Sequence, residues 1–156
     1  IGIGEYALDN NPIIIVTLGL GSCVGVCVRD KTKNIGAMVH VMLPDSSGNI
    51  GPKPGKYADS GIDLIYSELL KIGASASNLE AKIAGGAAMF GTSSQTMDIG
   101  KRNIEAVKLK LKQKGVRIIA EDVGGNRARS IEFNISTGEL MVKKVGGGEK
   151  VELYNI

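Results

Sequence analysis

The sequence predicts an α+β fold in which antiparallel hairpins are combined with two helices. Apolar residues recur at helical spacing in two segments, residues 58–73 and 99–114. The other apolar segments are short, rich in β-branched residues and bounded by Gly, Pro, Asn or Asp, which is typical of strands and turns. The resulting order is several strands, a helix, a strand, a helix and several strands, which favours α+β over a repeating strand–helix–strand arrangement.

Length and composition predict one globular domain covering residues 1–156. The chain has 156 residues and is 43% hydrophobic, which suits one ordinary core. Its apolar runs are shorter than the roughly 18 residues of a membrane span, and no signal-peptide pattern opens the sequence. We therefore expect no membrane insertion and a cytoplasmic location. Two cysteines and a single histidine make a poor disulfide frame and a poor zinc site, so no metal and no other cofactor is expected.

The charge is mildly positive and unevenly distributed. The formal net charge is +3. One region, opposed there only by Glu105, carries the basic residues Lys101, Arg102, Lys108, Lys110, Lys112, Lys114 and Arg117. A solvated helix face explains this region better than steering toward an acidic partner. Nucleic-acid binding is not expected, because aromatic residues make up 4% of the chain and tryptophan is missing from the sequence.

The predicted strands are apolar segments that end at turn residues. They are residues 1–8, 13–16, 23–29, 35–42, 79–86, 116–121, 131–135, 139–145 and 151–154. Two glycine clusters, residues 124–125 and 146–148, precede no predicted helix and are not expected to bind phosphate. Arg127 and Arg129 are interpreted either as contacts to an acidic substrate helix or as charges that protect an edge strand.

Each helical segment has an apolar face and an end signal. The first helix, residues 58–73, ends at Gly73, and its inward face consists of Ile62, Ile65, Leu69 and Ile72. The second helix, residues 99–114, has Asp98 as its N-cap and Gly115 as its C-terminal signal. Its inward face consists of Ile104, Val107 and Leu111.

Two loops are predicted beside these elements. Residues 43–57 contain three of the four prolines and three glycines, which predicts a long irregular loop directly after the strand of His40. Long ordered loops are often functional, so we expect this one to shape a substrate groove rather than to be a passive connection. A second, polar loop is predicted at residues 92–96, after Met89 and Phe90.

The segment of greatest chemical interest is residues 17–23, with the sequence TLGLGSC. Gly19 and Gly21 allow a tight turn, which leaves Cys23 at the mouth of the next strand, where a thiol is accessible. The next two strands form a hairpin, and its predicted register pairs Arg29 with Asn34, Val24 with Val39, Val26 with Ala37 and Val28 with Ile35. The same register places Cys23 directly opposite His40, on the other face of the hairpin.

A thiol and an imidazole in contact can perform nucleophilic catalysis. A free thiol with a pKa near 8.5 is mostly protonated at neutral pH, and His40 is expected to lower that pKa and accept the proton. Thr17 can orient the imidazole through its hydroxyl or its carbonyl, and the N–H groups of Ser22 and Cys23 are candidates for binding an oxyanion. The alternative is structural, because cysteine is among the most buried residue types and a lone histidine or threonine in a strand is often part of the core. Cys27, deeper in the strand, is interpreted as structural.

Six sequence blocks resemble those of the chemoreceptor glutamine deamidases of the CheD family. They are residues 17–23 (TLGLGSC), 40–45 (HVMLPD), 53–59 (KPGKYAD), 81–87 (AKIAGGA), 124–130 (GGNRARS) and 145–148 (VGGG). The blocks occur in one order over nearly the whole chain, so the resemblance is far more specific than any single motif.

The resemblance implies a cysteine hydrolase that converts selected glutamine side chains of methyl-accepting chemotaxis receptors to glutamate and releases ammonia. The family's catalytic Cys, His and Thr correspond to Cys23, His40 and Thr17. The family is similar to toxin-type cysteine deamidases, which implies layered, mostly antiparallel β-sheets with the two helices packed outside. Some members bind a CheC-type phosphatase, and a receptor methylesterase side activity is compatible with the same acyl intermediate.

Two other functions remain open from the sequence. The first is a chemotaxis binding module that binds and regulates a CheC-type phosphatase, with the cysteine site as a contact surface. The second is transfer of the glutamine acyl group to an amine, as transglutaminases do.

Overall fold

Residues 1–89 and 98–156 are described in this computed structural model, and they form nine β-strands and two α-helices. The strands are β1 (Tyr6–Asp9), β2 (Ile14–Leu20), β3 (Val24–Asp30), β4 (Ile35–Val41), β5 (Leu79–Gly85), β6 (Arg117–Val123), β7 (Ala128–Asn134), β8 (Leu140–Val145) and β9 (Glu152–Asn155). The helices are α1 (Ala58–Lys71) and α2 (Ile99–Gln113). The polar loop expected at residues 92–96, and Phe90 before it, lie outside the described residues.

The strands form two sheets, and most neighbouring strands are antiparallel. The larger sheet has the order β1-β4-β3-β5-β6, and the smaller one has the order β2-β7-β8-β9. Only β5 and β6 pair in parallel among the described strands, because α2 carries the chain back from the end of one to the start of the other. The predicted α+β class with mostly antiparallel sheets is confirmed, with this one strand–helix–strand unit added to the predicted hairpins.

The three layers are held together by two apolar interfaces. The first lies between the helices and one face of the larger sheet, and it includes Val24, Val26, Ile62, Ile65, Leu69, Val107 and Leu111. The second lies between the two sheets and includes Leu20, Cys27, Met38, Ile131, Phe133 and Val142. Since β3 and β4 are covered on both faces, nearly every residue of these two strands is buried. The helices therefore pack outside the sheets, as expected.

Both helices begin and pack as the sequence predicts. In α1 the buried side chains include Ile62, Ile65 and Leu69, and in α2 they include Val107 and Leu111. The carboxylate of Asp98 accepts a hydrogen bond from the Lys101 N–H at 3.1 Å, so the expected N-cap is confirmed. Among the described residues, neither helix is long and apolar enough to cross a membrane.

The register of the β3–β4 hairpin differs from the predicted one by two residues. Val24 pairs with Val41, Val26 with Val39 and Val28 with Ala37. The predicted loop began at Asp30, but Asp30 is buried and remains in β3, paired with Ile35. Its carboxylate accepts hydrogen bonds from the N–H of Thr32 at 2.9 Å and of Ser75 at 2.8 Å. The turn therefore moves to residues 31–34, and Asn34 adopts the left-handed conformation with φ of 53°.

Two other predictions are wrong, namely the start of the first strand and the roles of Arg127 and Arg129. The first strand begins at Tyr6 rather than at Ile1. Arg127 and Arg129 are both buried, Arg129 in the inner strand β7 and Arg127 directly before it, so neither edge protection nor contact with a substrate explains them. Arg129 pairs with Asp122 at 3.1 Å, and Arg127 pairs with two glutamates, Glu149 and Glu152.

The basic region of α2 is partly neutralised by acidic side chains from neighbouring elements. Lys110 and Lys114 bind the carboxylate of Asp63 at 3.1 and 2.7 Å, and Lys108 binds Glu121 at 2.9 Å. Glu105 is therefore not the only opposing charge, which agrees with a solvated helix face rather than a free positive patch.

The first turn of α2 lies directly on the chain that leaves β5. A Cβ atom at Gly100 would lie 2.5 Å from the carbonyl oxygens of both Gly86 and Ala87, closer than van der Waals contact allows. The absence of a side chain at Gly100 therefore sets how closely α2 approaches the end of β5.

Gly100→Ala is expected to lower the free energy of unfolding by about 1–3 kcal/mol, because overpacking forces the helix away from the backbone beneath it. Intrinsic helix propensity alone would give the opposite sign, a gain of about 1 kcal/mol. Urea denaturation measures the difference. Lys101→Ala, at the exposed neighbouring position, is the control and should leave stability nearly unchanged. An increase in stability for Gly100→Ala would contradict the packing argument.

Candidate active site

Thr17 and His40 meet in the layer between the two sheets. Along β2 the residues alternate between exposed and buried, so Ile15 and Thr17 face the larger sheet. Thr17 and His40 are each 1% exposed, and the Thr17 hydroxyl oxygen lies 2.7 Å from the Nδ1 atom of His40. This hydrogen bond joins one side chain of each sheet.

The hydrogen bonds of Thr17 determine which nitrogen of His40 carries the proton. The Thr17 hydroxyl donates to the carbonyl oxygen of Ile1 at 2.9 Å. A hydroxyl has one hydrogen, so the contact with His40 must be a bond donated by Nδ1–H to the Thr17 oxygen. The proton is then on Nδ1 and Nε2 carries the lone pair. The sequence left open which atom of Thr17 contacts the histidine, and the structure identifies the hydroxyl.

His40 is electrically neutral at ordinary pH. Burial lowers the pKa of His40 from 6.5 to about 4, because the charged imidazolium is poorly solvated in this layer. Within the described part of the chain, Nε2 is buried and has no hydrogen-bond partner. The imidazole is thus a neutral base with one unused acceptor atom.

Cys23 lies immediately before β3, on the same face of the sheet as His40. The observed register pairs Gly25 with His40, so Cys23 is a diagonal neighbour of His40 and not its direct partner. The predicted direct opposition is therefore wrong, but the shift of two residues keeps the shared face. Diagonal neighbours are about 7–8 Å apart, within reach of a side chain as long as histidine.

Cys23 is a largely buried residue. It is 8% exposed, and burial raises the pKa of the Cys23 thiol. The expectation that His40 lowers this pKa is not supported: desolvation disfavours the thiolate, and His40 carries no charge to compensate. The resting pair is therefore a neutral thiol beside a neutral imidazole.

Cys27 differs from Cys23 in burial and neighbours. It is fully buried in the layer between the sheets, among residues such as Met38 and Phe133, and burial strongly raises the pKa of its thiol. This environment agrees with the structural interpretation of Cys27.

The turn before Cys23 is held by backbone hydrogen bonds. Gly19 has φ of 69°, and β2 is irregular between Thr17 and Leu20. The Gly21 N–H donates to the Gly19 carbonyl at 3.1 Å, which closes the tight turn expected there. Among the described residues, the N–H groups of Ser22 and Cys23 donate no hydrogen bond. Both groups are free in this part of the structure, as an oxyanion site requires.

Two methionines lie beside the turn. Met89 is 42% exposed, and its side chain lies over Gly21, where an added Cβ would be 3.1 Å from it. Met42, at the end of the His40 strand, is also partly exposed. The Lys56 carbonyl accepts the N–H of Met42 at 2.8 Å, so the long loop of residues 43–57 closes back onto this end of the sheet.

One residue that the sequence analysis missed is Asn103 of α2. It is fully buried, and its side-chain amide donates to the Ser22 carbonyl at 2.9 Å and to the Met42 carbonyl at 3.0 Å. Asn103, Val107 and Leu111 follow one another at intervals of four along the inward face of the helix. A polar residue on a face predicted to be buried was the signal that could have identified it.

The fold and the site together define a class of protein: a layered α+β protein in which a threonine and a histidine form a hydrogen bond between two sheets, with a cysteine diagonal to the histidine on the same face. The family model described as "CheD chemotactic sensory transduction" matches residues 42–144, a range that follows Thr17, Cys23 and His40. The chain belongs to the CheD family.

Relatives that align over nearly the whole chain extend the matched range beyond residues 42–144. The chain is 61% identical over 156 residues to "Chemoreceptor glutamine deamidase CheD" of Thermotoga maritima, covering 100% of this chain and 98% of the relative. It is 43% identical over 155 residues to "Probable chemoreceptor glutamine deamidase CheD" of Thermococcus kodakarensis, covering 97% and 96%. A Clostridium botulinum relative with the same printed name is 45% identical over 153 residues, covering 96% and 94%.

The chain has one histidine, so NMR of its imidazole tests the site directly. We expect the Nδ1-protonated tautomer at neutral pH and protonation of the ring with a pKa of about 4 rather than 6.5. An unfolded histidine takes up a proton at higher pH than the folded one, so stability should fall as pH decreases from 6.5 toward 4. His40→Gln should lack this part of the pH dependence. Thr17→Val tests the tautomer. Because it removes the hydroxyl that accepts the Nδ1–H hydrogen bond, the imidazole should no longer strongly prefer to carry its proton on Nδ1.

A ring that titrates at or above its ordinary pKa, or that carries its proton on Nε2, would contradict the assigned hydrogen bonds.

Proposed function

We propose that this protein hydrolyses glutamine side chains of chemoreceptors to glutamate, with Cys23 as the nucleophile and His40 as the base. The printed names of its relatives, which span the full chain, support the reaction and the substrate. The observation that carries the residue assignment is the hydrogen bond from His40 to Thr17, because it leaves Nε2 unprotonated on the face that Cys23 shares.

The first half of the proposed reaction forms a thioester. Sγ of Cys23 attacks the carboxamide carbon while Nε2 of His40 takes the thiol proton. The carbonyl oxygen becomes an oxyanion, and the N–H groups of Ser22 and Cys23, which donate no hydrogen bond among the described residues, are its proposed donors. When the tetrahedral intermediate collapses, His40 returns the proton to the departing nitrogen, and ammonia leaves.

The second half consumes one water. His40 removes a proton from the water as it attacks the thioester carbon, and the same proton returns to the sulfur as the carbon–sulfur bond breaks. Glutamate is released and the free thiol is regenerated, so the net reaction converts glutamine and water to glutamate and ammonia. Thr17 keeps Nε2 available in both halves by holding the proton on Nδ1.

The neutral resting state fits this sequence of proton transfers. Burial raises the pKa of Cys23 and lowers that of His40, so an ion pair between them is disfavoured before the substrate binds. Proton transfer must then accompany the attack, which is general-base catalysis rather than attack by a preformed thiolate. Because the thiol and the imidazole are both neutral, a neutral carboxamide can bind beside them without separating an ion pair.

The remaining parts of the chain are assigned to the same function. We propose that residues 1–156 act as one deamidase domain with the architecture of toxin-type cysteine deamidases, because residues of both sheets share one apolar layer. The loop of residues 43–57 is proposed to border the substrate groove, since it closes onto Met42 beside the site. Glutamate methyl esters of the receptor would give the same thioester with methanol as leaving group, so a methylesterase side activity is included in the proposal.

Cys23→Ala is expected to lower the rate of deamidation of a receptor fragment by a factor of at least about 10³, because the nucleophile is lost. Release of ammonia and mass spectrometry of the fragment measure the change, since conversion of glutamine to glutamate alters the peptide mass at an assignable site. Cys27→Ala is the matched control, and it should retain activity after allowance for any loss of stability. Normal deamidation by Cys23→Ala would reject the proposed nucleophile.

The alternative function is a binding module that regulates a CheC-type phosphatase and uses the cysteine site only as a contact surface. Labelling with iodoacetamide distinguishes the two functions. If the protein is a deamidase, iodoacetamide should label Cys23 much faster than the fully buried Cys27 near neutral pH. His40→Gln should then slow the labelling of Cys23 by removing its base. Equally slow labelling of both cysteines, unaffected by His40→Gln, would favour the binding module.

A further inference from the structure

Asn103 connects α2 to both segments that carry the proposed catalytic pair. Its side chain is fully buried, and the two hydrogens of its amide are used on two backbone carbonyls, those of Ser22 and Met42. Ser22 immediately precedes Cys23, and Met42 lies two residues after His40. One side chain therefore fixes the spacing between the turn of the nucleophile and the end of the strand of the base.

The bond to Ser22 also sets the direction of a backbone N–H group. The described peptide bonds contain no cis bond, and in a planar trans peptide the C=O of one residue and the N–H of the next point in opposite directions. Because the Ser22 carbonyl points at Asn103, the N–H of Cys23 points away from Asn103. This N–H has no acceptor among the described residues.

The neighbouring peptides are held from another part of the molecule. The Gly21 carbonyl accepts the N–H of Ala87, and the Cys23 carbonyl accepts the N–H of Gly86, both at 2.8 Å. Three consecutive carbonyls, from residue 21 to residue 23, are thus each bound. Those of Gly21 and Cys23 are held by backbone, so only the Ser22–Cys23 peptide depends on a side chain for its orientation.

We propose that Asn103 is a positioning residue for deamidation, which holds the Ser22–Cys23 peptide so that the N–H of Cys23 faces the oxyanion formed on the substrate carboxamide. The inference rests on the proposed function and extends it to a residue of α2 that touches neither the substrate nor the reacting atoms. It assigns a second task to the helix, which otherwise only covers the larger sheet.

Replacement of Asn103 should affect the transition state more than the substrate complex. In Asn103→Leu, which is similar in size but donates no hydrogen bond, the Ser22–Cys23 peptide is free to turn. We expect kcat for deamidation to fall by about tenfold or more, toward the 10²–10³-fold loss seen when an oxyanion donor is removed, with KM nearly unchanged. Asn103→Asp, which keeps the shape but can no longer donate to both carbonyls, should show the same pattern and serves if the leucine variant does not fold.

A second measurement separates orientation of the oxyanion donor from general loosening of the site. Alkylation of Cys23 by iodoacetamide needs the thiol and its base but forms no oxyanion, so its rate should stay within about twofold of the wild-type rate in both Asn103 variants. Val107→Ala is the matched control, because Val107 is buried one turn further along the same helix face and binds neither carbonyl. It should destabilise α2 and leave kcat close to the wild-type value.

Three results would overturn the inference: unchanged kcat in the Asn103 variants, an equal loss of kcat in Val107→Ala, or a loss of Cys23 alkylation parallel to the loss of kcat. Other results would show that the proposed function itself is wrong. In that case the wild-type protein releases no ammonia from the receptor fragment, or the release persists in Cys23→Ala.

Discussion

The hydrogen bond between Thr17 and His40 is the interaction on which the site depends. It lies between two sheets, where an unpaired polar group is energetically costly. The Nδ1–H of His40 donates to the Thr17 hydroxyl, and that hydroxyl donates to the Ile1 carbonyl, so both donors are used. The one remaining polar atom of the imidazole is Nε2. The packing of the two sheets therefore determines the tautomer of the base, and a change in the spacing of the sheets would change the chemistry of His40.

Burial determines the charge states of both His40 and Cys23. The same desolvation that keeps His40 neutral opposes ionisation of Cys23, so the proposed reaction starts from a neutral thiol. The activation must come from correct placement of the base and from groups that stabilise charge as it forms. In the proposed reaction the orientation of the N–H groups of Ser22 and Cys23 therefore matters, and three successive carbonyls of this turn are held by hydrogen bonds.

Much of this arrangement could be predicted from the sequence because it depends on local patterns. The alternation of β-strands placed Cys23 and His40 on one face correctly, and an error of two residues in the register did not alter that face. The register itself could not be obtained locally, because the carboxylate of Asp30 is bound by Ser75, which lies 45 residues further along the chain. The prediction that the pKa of the Cys23 thiol is lowered was wrong for a similar reason. Burial raises this pKa, and burial depends on how the sheets pack rather than on the local sequence. The burial of Arg127 likewise depends on partners more than 20 residues away.

The limited exposure of Cys23 also bears on which substrates the proposed reaction can accept. Because Cys23 is only 8% exposed, a group that extends from the surface of its partner protein is best placed to reach the proposed nucleophile. A backbone amide lies within its own chain and is shielded by neighbouring side chains, whereas the carboxamide of glutamine is carried on a flexible stem of two methylenes. The asparagine carboxamide has one methylene fewer and reaches less far. In the proposed reaction, the low exposure of Cys23 thus favours modification of glutamine side chains over cleavage of the chain that bears them.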